Sequence, residues 1–503
     1  MAERRMMAVD LGASGGKCFV GTLADDQTFR MDEVHRFAHE GVSFFIANRK
    51  GELSERTVWD DTLIYHHIVQ GLHAYRREVA DTLDTLAVDT WGADGHLVSA
   101  DGDLLGKVYC YRDHRLDDMI DQVKARIDAR RIYELTGIHF QPFNITNQLL
   151  WLVQNRPELF LPGAKFLPVP TLFTFYLCGK NVVDSTWASV TQLMDAKTRE
   201  WSDEILDALG LPRDIMPPIV APGTAIGELT GPLALSVGLN EVRVLTCGAH
   251  DTASAFAAAP ISDPNEALII SSGTWSLVGK LIPEPITSRE AMEANISNEG
   301  GIGNIRCLKN CMGSWLVQEL RRLWRLADGV EMSWEELNDL TRKAPAFTAF
   351  IDPDDPVFFN PANMEKAIAD YCLKTAQTVP ADRGTFMRVV YESLALKYRY
   401  VNAQICRISN TATKVVNIVG GGCKNTMLNQ FTANALGLPV LAGPEEATAV
   451  GNLMVQAMGC GWIADVQAAQ PIIKEAFAIK EYQPSDPRAW EAAFATFLKV
   501  IDG

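Results

Sequence analysis

The stretch Leu245-Thr-Cys-Gly-Ala-His-Asp-Thr-Ala-Ser-Ala-Phe256, followed by Ala267-Leu-Ile-Ile-Ser-Ser-Gly-Thr-Trp-Ser-Leu-Val-Gly279, decides how the chain is read. Val242 to Leu245 predicts a short buried strand that delivers His250 and Asp251 at a glycine-containing turn. The small-residue run Ala253 to Ala259 predicts a tightly packed helix. After the turn signal Asp263-Pro264-Asn265, a second apolar strand runs into Ser271-Ser272-Gly273-Thr274. Small side chains and one glycine let the backbone N–H groups of that turn close on an anion. A carboxylate at a strand end, with such a turn after the next strand, points to phosphoryl transfer. By itself, a lone Asp after a His in a turn is more often a helix cap.

Outward from this centre, Met6-Met-Ala-Val-Asp-Leu-Gly-Ala-Ser-Gly-Gly-Lys-Cys-Phe-Val-Gly21 reads as strand, glycine turn, strand. It is not a P-loop: three residues separate Gly12 from Gly16-Lys17, and Cys18 stands where Ser or Thr must hold magnesium. The turn is a hairpin tip whose amides from Ala13 to Lys17 would cup a phosphate, with Asp10 placed to hold Mg2+ through its water shell. Thr85 to Gly95 is a further strand delivering polar groups, and a hairpin follows around Asp101-Gly102. Trp91, Asp94, Arg112 and Asp113 form the kind of polar-aromatic set that grips a sugar, although solvated turn charges are the commoner use of such residues. A charged helix is expected to about Arg131, and amphipathic helices at 147–160, 201–209, 313–327 and 385–405. Strand 414–419 runs into Gly420-Gly-Gly422, which allows close approach of a ligand to the backbone. Helix 426–436, strand 438–442 and a helix from about Glu446 complete a β-α-β-α run, hence an α/β sheet. Neither the glycine triplet nor Gly301-Ile-Gly303, where Arg306 takes the third glycine's place, has dinucleotide spacing. The two halves share one plan, a glycine/serine hairpin followed by helices and strands.

The chain has 503 residues, enough for two or three domains, with 47% hydrophobic and 21% charged residues. Its 46 Lys and Arg against 62 Asp and Glu give a net charge of −16, which argues against nucleic acid or an anionic membrane as the main partner. The N-terminal run lacks the apolar core of a signal peptide, and the apolar run 166–178 is too short to span a bilayer. Ten cysteines without CxxC pairs read as reduced thiols, so a cytoplasmic protein is expected. Nine histidines without ligand spacing speak against structural zinc.

Taken together, Asp10-Leu-Gly-Ala-Ser, Asp89-Thr-Trp-Gly, Tyr111-Arg-Asp, Pro142-Phe-Asn, His250-Asp-Thr-Ala-Ser, Ser271-Ser-Gly-Thr-Trp-Ser-Leu, Asn298-Glu-Gly-Gly, Lys309-Asn-Cys-Met-Gly, Gly420-Gly-Gly-Cys-Lys-Asn and Ala442-Gly-Pro-Glu-Glu-Ala resemble the FGGY carbohydrate kinases of the actin-like ATPase superfamily. The resemblance runs in order from about residue 6 to 457. It implies an α/β protein of two actin-like (ribonuclease H-like) lobes with an active-site cleft between them: an N-terminal lobe at 1–255, a nucleotide-binding lobe at 256–460 and an extension at 461–503. It implies transfer of the γ-phosphoryl of ATP, with Mg2+, to the 1-hydroxyl of a ketose, L-rhamnulose first and L-fuculose as its rival. By position, Asp251 resembles the base that takes the sugar proton, with His250 and Thr252 beside it on the substrate. Ala13, Ser14, Gly15, Gly16 and Lys17 resemble the phosphate hairpin, and Thr274, Gln318, Gly421 and Gly422 resemble ATP contacts. Gly92 and Asn310 resemble substrate contacts, to which Trp91 and Asp94 are added from the sugar-gripping set.

Three stretches depart from the family pattern. Ser14-Gly-Gly-Lys17 replaces Ser-Ser-Gly-Arg, keeping the charge but not the bidentate fork. Ala93-Asp94-Gly95 replaces Val-Asp-Phe, which predicts the loss of a ring beside the substrate, and Pro142 to Asn147 replaces an Asn-Thr-Leu-Tyr run. An actin-like ATPase switch that binds other proteins would have no use for the His250-Asp251 turn, and a metal-dependent hydrolase lacks its ligand cluster.

Overall fold

The computed structural model describes residues 3–47, 51–239 and 241–501. By packing, the chain divides into two compact units. The first comprises Met1–Ala258, Leu281–Cys307 and Ala447–Ala476; the second comprises Ala259–Lys280, Leu308–Glu446 and Phe477–Gly503. The units therefore interleave, whereas the sequence reading laid out three consecutive blocks. The physical cause lies in local packing, described below for the helix Ala447–Gly459.

In the first unit β1 (Glu3–Gly12), β2 (Gly15–Ala24) and β3 (Phe29–Ala38) form an antiparallel meander. The strand Thr85–Thr90 joins β1 in parallel, and Arg243–Leu245 joins Thr85–Thr90 in parallel. Strand Ala225–Glu228 closes the six-stranded order. Met6 to Val9 and Leu86 to Val88 are buried on both faces of this sheet, which is why their sequences run as continuous apolar stretches rather than alternating ones. Helix α1 (Asp61–Glu78) covers one face so closely that a Cβ on Gly71 would lie 2.5 Å from the Cys18 sulfur. The helix Ala447–Gly459 covers the other face. Gly451 lies against the Ser254 backbone with no room for a side chain, and Gln456 donates to the Met7 carbonyl at 3.0 Å. Small residues at this helix's contacts let it approach the sheet and bind it into the first unit.

The second unit repeats the plan. Ala267–Ser272 and Trp275–Ile282 form an antiparallel hairpin, Ala267–Ser272 pairs in parallel with Val415–Val419, and that strand pairs in parallel with Val440–Ala442. Lys480–Tyr482 adds an antiparallel edge. The 27-residue helix Arg383–Ser409, nearly the span expected from periodicity, buries Phe386, Val389, Val390, Leu394, Tyr398 and Val401. Each unit thus carries a glycine-tipped hairpin whose first strand lies parallel to the next strand of the sheet.

The continuous charged helix expected to Arg131 is not formed. Asp113 and Asp128 each accept a backbone N–H two or three residues ahead, so the segment restarts as a short 3-10 turn at His114–Leu116 and helices at Met119–Lys124 and Ala129–Thr136. The helix expected at 147–160 spans Ile145–Asn155 and stops ahead of Pro157.

Candidate active site

In the first unit, three strands bring polar groups to their carboxyl ends, side by side. Asp10 lies near the end of β1, register-paired with Asp89 on one side and with Lys17 on the other. Thr90 donates its N–H to the Ala249 carbonyl at 2.8 Å, and Trp91 donates to the Leu11 carbonyl at 3.1 Å. These links fix Asp10, Trp91-Gly92 and His250-Asp251 in one row, the place where open α/β sheets present ligands. The row also gathers negative charge. Burial first, then the Asp10 charge, holds the Asp89 carboxyl well above the usual carboxylate range. Asn452 donates to Asp89 Oδ2 at 2.5 Å, while Asp89 Oδ1 is buried without a hydrogen bond among the described residues.

Asp251 is the first residue of the helix Asp251–Ala257, whose N-cap is His250 without a side-chain cap. The expectation that an Asp in such a turn caps the helix does not hold for Asp251, which follows the N-cap, and its side chain turns onto its own neighbour. Its Oδ1 accepts from Thr252 N at 2.5 Å and from Thr252 Oγ1 at 3.1 Å, and the imidazole Nε2 of His250 lies 3.4 Å from it. All three contacts converge on Oδ1. On the same Nε2 edge the His250 ring is approached by the backbone of Gly92, where a Cβ would stand 2.6 Å from Nε2. That close approach is the physical reason for glycine at 92. Behind the ring, Arg306 Nη2 lies 3.0 Å from Nδ1 and Glu299 Oε2 lies 3.3 Å from the same nitrogen.

The hairpin tip is set from behind by β3. A Cβ on Gly15 would stand 2.7 Å from the Phe37 carbonyl, and one on Gly16 would run into the Phe37 ring and Leu11. Ala13 and Ser14 form the turn, Ser14 exposed, and Lys17 lies on the same sheet face as Asp10, with its ammonium 6.0 Å from the Phe19 ring.

The sugar-gripping set divides. Asp94 is fully buried and takes four N–H donors: Trp59 at 2.7 Å, Trp91 at 3.1 Å and Tyr111 N at 3.1 Å on Oδ2, and Gln148 at 3.0 Å on Oδ1. Burial pushes its carboxyl up and these donors with Arg115 offset only part, leaving it at about 6. Asp94 thus organises the aromatic turn from within. Asp113 is buried too, accepting from Thr57 N at 2.6 Å and Arg115 N at 2.9 Å, whereas Arg112 is exposed. Trp91 packs against Trp59 with ring centroids 4.5 Å apart. The expectation that Gly95 vacates a place beside the substrate is corrected: a Cβ there would meet the Leu167 carbonyl and the Phe166 ring, each at 2.6 Å. The strand pairing of Gly95 with Pro168 fills that space.

The nucleotide contacts expected in the second unit come together around one hairpin. Ser314 donates to the Gly273 carbonyl from its N–H at 3.0 Å and from its hydroxyl at 2.6 Å, and Gly313 N donates to the Thr274 carbonyl at 3.1 Å. Gln318, one turn into the helix Trp315–Asp328, donates to the Ser314 hydroxyl at 3.1 Å. Gly422 packs on Ser272 with no space for a Cβ, Gly420 has φ +82°, and Gly421 opens onto free space. Thr274, Gln318 and Gly421 are all exposed. Asn310 lies on the strand Ile305–Met312, its Oδ1 buried and without a hydrogen bond among the described residues.

The two halves of the chain match the N-terminal domain of the FGGY family of carbohydrate kinases over residues 37–257 and its C-terminal domain over residues 268–460. The chain is an FGGY carbohydrate kinase. It is 38% identical over 502 residues to a rhamnulokinase of Bacteroides thetaiotaomicron, covering 99% of this chain and 100% of that one. It is 37% identical over 489 residues to a rhamnulokinase of Pectobacterium carotovorum subsp. carotovorum, covering 96% and 94%. Among solved structures, its fold matches the gluconate kinase of Lactobacillus acidophilus with a TM-score of 0.79 at 17% identity, covering 100% of this chain and 98% of that one. The actin-like fold of this kinase family is therefore the fold of this chain. Sequence reasoning missed the roles of Glu299, Arg306, Asn452 and Trp59. Glu299 lay within a quoted motif, and a lone arginine inside an apolar strand, Ile305-Arg-Cys-Leu308, was a signal that could have found Arg306.

Proposed function

We propose that this kinase phosphorylates the 1-hydroxyl of L-rhamnulose, with Asp251 as its base. The observation that carries the reading is the asymmetry of the Asp251 carboxylate. Thr252 and His250 all address Oδ1, so Oδ2 is the oxygen left to receive a proton from the acceptor. Loose phosphoryl transfer asks for alignment and charge neutralisation more than for a strong base. In the reaction the sugar hydroxyl proton passes to Asp251 Oδ2 while its oxygen bonds to the γ-phosphorus of ATP. The bond from that phosphorus to the β,γ-bridging oxygen breaks, and ADP leaves with the electron pair.

In the first unit, His250, Thr252, Trp91 and Gly92 take the ketose, with Asp94 holding the Trp91 turn from behind. The Ala13–Lys17 amides and the Lys17 ammonium take the transferring phosphoryl group. In the second unit, Thr274, Gln318, Gly421 and Gly422 take ATP, and Asn310 adds a polar contact to the sugar. For magnesium the fit is with hard oxygen donors. Among the described residues no group of three or more His, Cys, Asp or Glu is arranged to hold a metal directly. The acidic row with the unpartnered Asp89 Oδ1 fits a hydrated ion, held by Asp10 through water, which would neutralise charge on the phosphates. All ten cysteines are free thiols, which supports a reducing compartment, the cytoplasm. Among the described residues no helix is long and apolar enough to cross a membrane.

Incubation with ATP, magnesium and a panel of L-rhamnulose, L-fuculose, other ketoses and glycerol tests the reading. ADP release that depends on L-rhamnulose, with L-rhamnulose 1-phosphate as the product, is expected, and none with glycerol. A preference for another ketose would retain the base and overturn the acceptor.

A further inference from the structure

Arg306 and Glu299 are buried, 0% and 3% exposed, although neither belongs to the residues expected to touch a substrate. The Arg306 guanidinium lies 5.8 Å from the Phe256 ring, and each nitrogen has its own direction. Nε donates to the Gly300 carbonyl at 2.8 Å, Nη1 lies 3.1 Å from Glu299 Oε2, and Nη2 lies 3.0 Å from His250 Nδ1. A guanidinium has donors only. Nδ1 faces the guanidinium at 3.0 Å and the Glu299 carboxylate, an acceptor, at 3.3 Å; accepting from the nearer, charged donor places the imidazole proton on Nε2, the nitrogen turned toward Asp251 Oδ1 and the Gly92 backbone.

From this arrangement we infer that Arg306 and Glu299 are positioning residues that set the tautomer and direction of His250, so that its Nε2–H is presented to Asp251 Oδ1 and to the acceptor hydroxyl oxygen. The inference rests on the reading of Asp251 as base and His250 as acceptor contact. A buried Arg–Glu pair is weak evidence for stability, since apolar residues of similar volume often serve as well. What apolar residues cannot do is donate to Nδ1. Glu299 completes the device by keeping the guanidinium turned. Burial pushes the Glu299 carboxyl up, but the Arg306 charge is the chief cause that outweighs it and leaves it at about 2, so the partner of Arg306 is a carboxylate throughout the working range. The other charged groups around the relay are Asp184, which acts on Arg306, and His139, which acts on Glu299. Gly92 serves the same end. With no side chain there, the backbone at 92 comes close to Nε2 without the clash that a Cβ would make at 2.6 Å.

Two measurements test this. The first is the ¹⁵N spectrum of histidine-labelled wild-type protein near neutral pH, with His250 assigned by its disappearance in His250→Gln. The neutral Nε2–H form is expected. The Nδ1–H form or an imidazolium would overturn the proposal, and the tautomer itself is read on the wild-type protein. The second is kinetics of Arg306→Met, alone and paired with Glu299→Gln so that no charge is left uncompensated. In the folded variants kcat/KM for the ketose should fall about 10- to 100-fold, as expected for one lost charge-assisted hydrogen bond, with KM for ATP nearly unchanged. Arg306→Lys, which retains a donor, should recover much of the loss. Wild-type ketose kinetics in folded Arg306→Met would overturn the proposal, as would equal losses on the ketose and ATP sides. Asp251→Asn in parallel separates the two levels. If it is inactive while Arg306→Met behaves as wild type, only the positioning role fails; if it is fully active, the reading of the base fails.

Discussion

Replacing Asp94 by Asn is the sharpest probe of how the sugar-side turn is built. The substitution preserves shape, and Asn tolerates the left-handed backbone found at this position, φ +75°. Its amide oxygen would still accept from Trp59, Trp91 and Tyr111 N, while its amide nitrogen would face the Gln148 donor. What disappears is the titration. The carboxyl sits at about 6 in the folded protein against an ordinary value of 3.8, because burial outweighs its hydrogen bonds. With the folded value raised, the folded state binds the proton more tightly. The associated stability is fully present below about pH 4 and is lost as pH rises to about 6. At about 1.4 kcal/mol per pH unit, the whole change is worth about 3 kcal/mol, of which about 2 kcal/mol falls between about pH 4.5 and about pH 7.5. Asp184, also raised to about 6 by burial, has the same sign but is present in both proteins and cancels. Calorimetry on wild type and Asp94→Asn across that range should therefore show a Tm gap that changes by about 2–3 °C, wild type gaining relative to the variant toward acid. A gap constant to within about 1 °C would refute the reasoning, and Asp94 would then be an ordinary exposed-type carboxylate in solution.

Asp251→Asn should lower turnover about 10²- to 10⁴-fold with ATP binding retained, read by steady-state rates and nucleotide titration; near-normal turnover would remove Asp251 from the role of base. Lys17→Ala should cost about 10²-fold in kcat, whereas Lys17→Arg should be tolerated or better, since the family pattern carries Arg there; unchanged rates in the Ala variant would leave the phosphate to the hairpin amides alone. Gly95→Ala should lower stability by about 1–3 kcal/mol, because a backbone carbonyl at 2.6 Å cannot rotate away, while the ranking of ketoses by kcat/KM stays as in wild type. An altered ranking at wild-type Tm would return Gly95 to the sugar pocket.

Much of this molecule was legible in one dimension. Hydrophobic runs such as Met6–Val9 and Ala267–Ile270 placed the strands, because a strand buried on both faces is largely apolar along its length. Glycine clusters placed the hairpins and the 420–422 turn, because only glycine allows a backbone to be approached that closely, and the order of the motifs carried the family. What stayed illegible depends on partners far apart in sequence. Asp94 looked like a sugar ligand, since nothing local says that Trp59, Tyr111 and Gln148 will fill its hydrogen bonds. Gly95 looked like a vacancy until Phe166 and Leu167 were seen to occupy it. Arg306 looked like the failure of a glycine motif, and its purpose is visible only where His250 meets it 56 residues away in sequence. The sequence alone determined which residues could bear chemistry, through local rules of burial, turn and charge. Tertiary structure decided which of them are free to use it, because a buried polar group is committed to whatever donor or acceptor the fold brings within about 3 Å.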